Sequence, residues 1–217
     1  MEPVEAAATV RYTDAAGLGD ALCGADALFM WDFLSGALES AWSSADTLRW
    51  LHIASAGVDK LLFPGLVGSD VVLTNSRGIF EDSIAEYVLG VVLAFAKDLP
   101  GTLDAQRETR WQHRETERVV GRSVLIAGTG PIGRSVARML HAVGMRVSGI
   151  GRTRREDDPD FGTVHPSGEL IEHLPAADFV VALAPLTEQT KGMFDASAFL
   201  AMGRHARFIN VGRGALV

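Results

Sequence analysis

The segment Ser123-Val124-Leu125-Ile126-Ala127-Gly128-Thr129-Gly130-Pro131-Ile132-Gly133 constrains this chain more than any other. An apolar run ends in Gly-x-Gly-x-x-Gly, and an amphipathic pattern follows. The physical reading is a buried strand that enters a tight turn and opens a helix. Gly128 permits the turn, Gly130 admits a diphosphate where a Cβ would clash, and Gly133 lets helix and strand pack closely. The helix's free N–H groups and positive dipole end would face that diphosphate. A glycine-rich turn also recurs by chance as plain structure. Strand, turn, helix and second strand in this order are the context that favours a nucleotide. Gly128, Thr129, Gly130, Pro131, Ile132 and Gly133 are the candidate cofactor-binding turn.

The flanks carry the same alternation. Strands are expected at Thr9–Tyr12, Ala27–Trp31, Trp50–Ile53 and Val71–Thr74, with helices at Ala16–Ala21 and Leu34–Ser44. After the glycine turn come a helix at Ile132–Val143, strands at Arg146–Ile150, Asp178–Leu183 and Phe208–Val211, and a helix at Ala196–Met202. Strands alternating with helices predict a parallel α/β sheet. The strongest helix is Ser83–Lys97. Ser83 and Glu86 are spaced as a capping box, and Ile84, Val88, Val91, Val92 and Phe95 share a face. Pro100 and Gly101 are expected to stop it. So apolar a helix needs cover on more than one side, which suits a domain junction or a homodimer contact. Leu103–Arg118 reads as a solvated helix and loop. The domain break is placed near Asp82, giving units 1–82 and 83–217.

Composition removes several function classes. The formal net charge of -7 argues against a protein that grips a nucleic-acid backbone. The single cysteine, Cys23, cannot make an internal disulfide and fits a reducing compartment. The acidic start, Met-Glu-Pro-Val-Glu, lacks the basic region of a signal peptide. The longest apolar stretch, Tyr87–Ala96, is far short of the ~20 residues a membrane span needs. The expectation is a cytoplasmic, unanchored protein. No residue is assigned to a metal.

Cofactor preference is read beyond the second strand, where an acidic residue ~20 positions after the motif would bind the ribose hydroxyls of NAD. Here the sequence is Gly149-Ile150-Gly151-Arg152-Thr153-Arg154-Arg155, with no carboxylate before Glu156. Arg152 and Arg154 suit a 2′-phosphate, with Thr153 adding a hydroxyl, so NADP(H) is favoured over NAD(H). The other reading is a solvated basic loop.

With these motifs in view, the chain resembles the D-isomer-specific 2-hydroxyacid dehydrogenase family, from about Ala27 onward. The resemblance rests on Ser55-Ala-Gly-Val-Asp59, Thr74-Asn75 with Gly78, Ala85-Glu86, Gly128–Gly133, Ala184-Pro-Leu-Thr187 with Thr190, and Asn210-Val-Gly-Arg-Gly214. The Arg-Thr-Arg run is similar to the NADPH-preferring glyoxylate and hydroxypyruvate reductases. The resemblance implies a Rossmann-type doubly wound sheet, incomplete at the C-terminus. It also implies a smaller flavodoxin-like α/β substrate domain, short at its N-terminus. It implies reduction of a small 2-keto acid to a D-2-hydroxy acid. Arg213 matches the active-site arginine, which holds the carboxylate and polarises the keto oxygen. Ser55, Ala56 and Gly57 match the substrate-carboxylate loop, with backbone N–H groups as donors. Ala184, Pro185, Thr190, Val211 and Gly212 match positions along the cofactor. Glu86 is read as structural. His52 is read as a core or surface residue rather than an acid–base group.

Hydride transfer to a keto acid also needs a proton donor. The family's histidine and its glutamate lie downstream of the Arg-Gly motif, and none of His52, His113, His141, His165, His173 and His205 matches. The chain is therefore expected to be a fragment or shortened product, poorly stable or leaning on a partner, with little or no dehydrogenase turnover. The competing reading is a non-catalytic dinucleotide sensor of the corepressor kind. A third, a different nucleotide-domain enzyme such as a methyltransferase, is disfavoured by Arg213 and the Ala184–Thr187 motif.

Overall fold

The computed structural model describes residues 2–217. The chain divides into two compact units, Met1–Gly78 and Ile79–Val217.

The first unit begins with the short helix α1 (Glu2–Glu5) and continues with α2 (Leu18–Leu22), β1 (Ala27–Met30), α3 (Ala37–Ala41), β2 (Trp50–Ile53), α4 (Pro64–Val67) and β3 (Val72–Asn75). Its three strands pair in parallel in the order β1-β2-β3. The same sequential parallel order occurs within the flavodoxin-like order 2-1-3-4-5. One face of the sheet packs Met30, Leu51 and Ile53 against Leu18, Leu22, Leu38 and Leu66. The other face leaves Phe29, Trp50 and Val72 exposed.

Two expectations change here. Thr9–Tyr12 is irregular and mostly exposed rather than a strand. The Arg11 guanidinium instead donates to the carbonyls of Ala21 and Cys23, at 3.1 and 2.8 Å, and so ties the segment to the end of α2. The helix expected over Leu34–Ser44 is shorter. Gly36 caps α3, and Trp42–Ser44 tightens into a 3₁₀ turn.

The second unit contains α5 (Glu81–Ala96), α6 (Leu99–Arg107), β4 (Ser123–Ala127), α7 (Pro131–Ala142), β5 (Arg146–Gly151), β6 (Arg155–Asp158), β7 (Gly162–Pro166), α8 (Leu170–His173), β8 (Phe179–Ala182), α9 (Ala196–Ala201) and β9 (Arg207–Asn210). The sheet order is β6-β7-β5-β4-β8-β9. Every pairing is parallel except that of β6 with β7. Without the antiparallel edge strand β6, the order is 3-2-1-4-5 of the doubly wound dinucleotide fold. Alternate residues of β4 feed two cores. Val124 and Ile126 join α5 and α7, while Leu125 and Ala127 join the α8 and α9 side.

Four details of this unit differ from the sequence-based expectation. Helix α5 starts at Glu81, so Ser83 lies inside it and forms no capping box; Phe80 is the N-cap, without a side-chain cap. Its buried stripe is Ala85, Val88, Val92 and Ala96, and Phe95 stays exposed. Pro100 and Gly101 do not stop α5. The chain turns at Asp98, in left-handed backbone (φ 47°), and restarts at once as α6. Pro100 suits that first turn, and the Asp98 carboxylate accepts from the Gly101 N–H. The β6–β7 hairpin has no counterpart among the expected strands, because Arg155–Asp158 is wholly polar. It is fixed by ion pairs rather than apolar alternation.

Candidate functional site

The register of the second sheet sets Ala127, Ala182 and Asn210 abreast. The residues that follow β4, β8 and β9 therefore leave by the same edge, the carboxyl edge where ligands sit in open α/β sheets. On it lie the glycine turn, the Ala184–Thr190 loop and Arg213.

The turn is closed by backbone contact. Gly128 has φ +122°, and a Cβ there would stand 2.5 Å from the Leu183 carbonyl carbon. A Cβ on Gly133 would stand 2.0 Å from the Gly128 carbonyl oxygen. These two positions hold helix, turn and β8 together and admit only glycine. Gly130 differs: a Cβ there would meet nothing within 4 Å. Gly130 is also the N-cap of α7, with no side-chain cap and Pro131 in the first turn. An uncapped helix N-terminus under open space fits the oxygens of a diphosphate.

Thr129 plugs the turn onto β5. A Cβ on Gly149 would lie 2.8 Å from Thr129 Cγ2, and one on Gly151 would lie 2.8 Å from Thr129 Oγ1. The Thr129 hydroxyl accepts from Arg155 Nη2 at 3.0 Å. Arg155 also pairs with Asp158 at 3.0 Å, and Arg134 of α7 grips Asp158 at 2.8 Å and Asp160 at 2.7 Å. The Arg134 hydrogen bond outweighs burial and holds the Asp158 carboxyl far below the usual carboxylate range. Sequence reasoning missed Arg155 as a neighbour of the turn. Its only signal was one more arginine in a basic run.

The three residues assigned to a 2′-phosphate have different surroundings. Arg152 and Thr153 are exposed. Arg154 is engaged, with Glu156 at 3.2 Å and Glu169 at 2.5 Å.

Beyond β8, Ala184 is buried and Pro185 exposed. The Thr190 hydroxyl donates to the Pro185 carbonyl at 2.6 Å and accepts from the Thr187 N–H at 2.9 Å, which folds the loop on itself. Beyond β9, the Val211 N–H bonds the Ala182 carbonyl at 3.1 Å. Asn210 then shapes the turn: its carboxamide accepts from the Gly212 N–H and donates to the Arg213 carbonyl, both at 3.0 Å. Arg213 is half-buried there.

In the first unit, Ser55-Ala56-Gly57 follows β2. The buried Ser55 hydroxyl donates to the Gly57 carbonyl at 2.6 Å, and Asn75 donates to the Ala56 carbonyl at 2.7 Å. The loop is thus shaped by its own polar contacts. Both ring nitrogens of His52 are occupied, by Thr74 and Ser76 hydroxyls at 2.8 and 3.1 Å.

A further cluster was not assigned from sequence: His165 at the end of β7, Glu169 in the turn after it and His173 at the end of α8. The spacing His-x₃-Glu-x₃-His was the available signal. Burial, then the neighbouring His173 and Arg154, push the His165 imidazole below its usual value. No helix among the described residues is long and apolar enough to cross a membrane.

Comparison with known proteins agrees with this architecture. The family profile described as "D-isomer specific 2-hydroxyacid dehydrogenase, NAD binding domain" matches residues 89–217. A Streptomyces coelicolor protein encoded in the mprR 3′ region is 38% identical over 170 residues, which are 78% of this chain and 60% of that protein. The glyoxylate/hydroxypyruvate reductase A of Arabidopsis thaliana is 27% identical over 95% of this chain and 62% of its own length. The chain thus spans about 60% of these curated relatives. The crystal structure of a D-isomer specific 2-hydroxyacid dehydrogenase family protein from Aeromonas salmonicida superposes with a TM-score of 0.85. It is 32% identical, over all of this chain and 70% of that one. An NADPH-dependent glyoxylate/hydroxypyruvate reductase of Sinorhizobium meliloti, solved with NADP and sulfate, gives a TM-score of 0.78 at 28% identity, over 99% of this chain and 69% of that one.

Proposed function

This chain belongs to the D-isomer specific 2-hydroxyacid dehydrogenase family, and on that premise we propose that its parent activity is NADPH-dependent reduction of a small 2-keto acid to a D-2-hydroxy acid. The observation that carries this reading is the shared carboxyl edge of β4, β8 and β9, which brings together the open turn at Gly130 and Arg213. Residues 83–217 bind the dinucleotide and residues 1–82 the substrate. The N–H groups at the start of α7 hold the diphosphate, with Gly128 to Gly133 leaving room for it. Arg152, Thr153 and Arg154 receive the 2′-phosphate. Ala184, Pro185, Thr190, Val211 and Gly212 line the cofactor's nicotinamide side. When bound, the cofactor supplies the hydride.

Arg213 holds the substrate carboxylate and polarises the keto oxygen as negative charge develops. Backbone N–H groups of Ser55, Ala56 and Gly57 are further carboxylate donors. The exposed Tyr87 and Phe95 on α5 make that helix the proposed homodimer contact.

The proton for the nascent alkoxide needs a donor within hydrogen-bond reach. His205 precedes β9 and sits 3.3 Å from Asp178, at the amino edge of the sheet. His165 leaves the carboxyl edge from β7, four strands from β9, or about 19 Å at ordinary strand spacing. Neither of these two histidines of the second unit stands beside Arg213, and a second reading keeps dinucleotide binding without turnover, as in a sensor module.

Titrating the chain with NADPH and NADH, followed by nicotinamide fluorescence, tests the cofactor assignment. Tighter NADPH binding is expected, and tighter NADH binding overturns the preference. Mixing the chain with NADPH and glyoxylate or hydroxypyruvate and following absorbance tests the second reading, which robust turnover would remove.

A further inference from the structure

We infer that His165, Glu169 and His173 form a divalent-cation site of the zinc type, which competes with Arg154 for the Glu169 carboxylate. The three candidate ligand atoms lie within 4.8 Å of one another. His173 Nε2 is 3.6 Å and His165 Nδ1 3.9 Å from the same oxygen, Glu169 Oε2. Both separations exceed hydrogen-bond reach, and neither nitrogen has another partner although each is shielded from solvent. An unsatisfied polar atom in such a place is unfavourable, and a bound cation would satisfy both.

The spacing fits an ion. Zinc with nitrogen and oxygen ligands at ~2.1 Å sets tetrahedral ligand atoms about 3.4 Å apart. Closing the cluster from 3.6 and 3.9 Å therefore needs shifts of only a few tenths of an ångström along these two edges. The imidazole rings stack at 3.5 Å with 25° between their planes, so binding one ion also requires the rings to tilt until both lone pairs meet it. Two histidines and a carboxylate leave a fourth position for water. The side chains are half-buried, 16%, 31% and 30% exposed for His165, Glu169 and His173, so an ion can enter.

Arg154 Nη2 lies 2.5 Å from that same Oε2. A dication there displaces the guanidinium, which keeps only its contact with Glu156 at 3.2 Å. The freed Arg154 then reaches toward a 2′-phosphate. This last consequence rests on the nucleotide reading above; the metal site does not.

The test titrates the full chain, stripped with chelator, with zinc chloride alone and reads heat. One saturable site per chain is expected. Glu169→Gln and His173→Gln should each weaken it about tenfold or more, while His113→Ala leaves it unchanged. Zinc should raise the melting temperature of the natural chain, and cobalt should show the visible bands of a tetrahedral ion. Independently of how the variants fold, zinc should protect histidines of the natural chain from diethyl pyrocarbonate. Equal zinc affinity in the natural chain and both Gln variants overturns the site, as does an absence of saturation by about 1 mM zinc. In a separate arm, zinc should tighten NADPH binding about two- to fivefold in the natural chain and not in Arg154→Ala. Zinc binding with unchanged NADPH affinity overturns the competition. Failure of NADPH to bind at all overturns the nucleotide reading, and the zinc isotherm then decides the metal site by itself.

Discussion

The two parallel sheets of this molecule are built on different plans. In the second unit every residue of β8 is buried, and β4 is buried after its first residue, because helices pack on both faces. In the first unit the burial of β1 and β3 alternates, and one face carries exposed Phe29, Trp50 and Val72. Parallel strands are normally covered on both sides. A two-faced sheet has its edge turns held by packing. A one-faced sheet holds its loop with local polar contacts, as Ser55 and Asn75 do.

The difference should be largest at the turns. Gly133→Ala drives a Cβ against the Gly128 carbonyl, with no flexible side chain to yield. It should cost about 4 kcal/mol or more in a urea melt and abolish NADPH binding. Ser55→Ala, in the loop of the one-faced sheet, should cost about 1 kcal/mol. Similar losses at the two turns would break the comparison.

Charge gives the next contrast. Asp158→Ala leaves Arg134 only Asp160 and Arg155 only the Thr129 hydroxyl, and a loss of about 2 kcal/mol is expected. Removing Asp26 from its exposed pair with Arg49 should change stability by less than about 0.5 kcal/mol. The Asp158 carboxyl is held below its unfolded value. Its contribution is therefore complete above about pH 4, the unfolded value, and is lost as pH falls toward the depressed folded one. In acid melts the Asp158→Ala chain should show a flatter fall in stability below about pH 4 than the natural chain.

Smaller effects sharpen the picture strand by strand. Val181→Ala, fully buried on β8, should cost about 2 kcal/mol, and Val72→Ala, exposed on β3, less than about 0.5 kcal/mol. Hydrogen exchange should show slower amides in β4 and β8 than in β1 and β3; the reverse order would show that the one-faced sheet is the stabler body.

Legibility in the sequence followed the same division. The strand Val124–Ala127 and the turn after it were readable, because continuous apolar residues and three spaced glycines leave few alternatives. The carboxyl-edge location of Arg213 followed from placing a strand before it. Thr9–Tyr12 has the look of a strand because alternation in one short segment does not reveal whether a partner exists. The β6–β7 hairpin stayed hidden because Arg134, 21 residues before Arg155, helps hold it, and a pairing of that kind has no local signature. The basic loop after β5 was visible as charge. Which arginine was already engaged was not, since Glu169 approaches from a different element.

The fit of Thr129 against Gly151 limits which side chains the end of β5 can accept. A carboxylate that favours NADH belongs at the end of β5, where Gly151 stands. Any side chain there collides with the Thr129 hydroxyl, which is itself tied to Arg155. A carboxylate can be installed at Gly151 only after Thr129 is trimmed, so that change runs through an ordered double exchange.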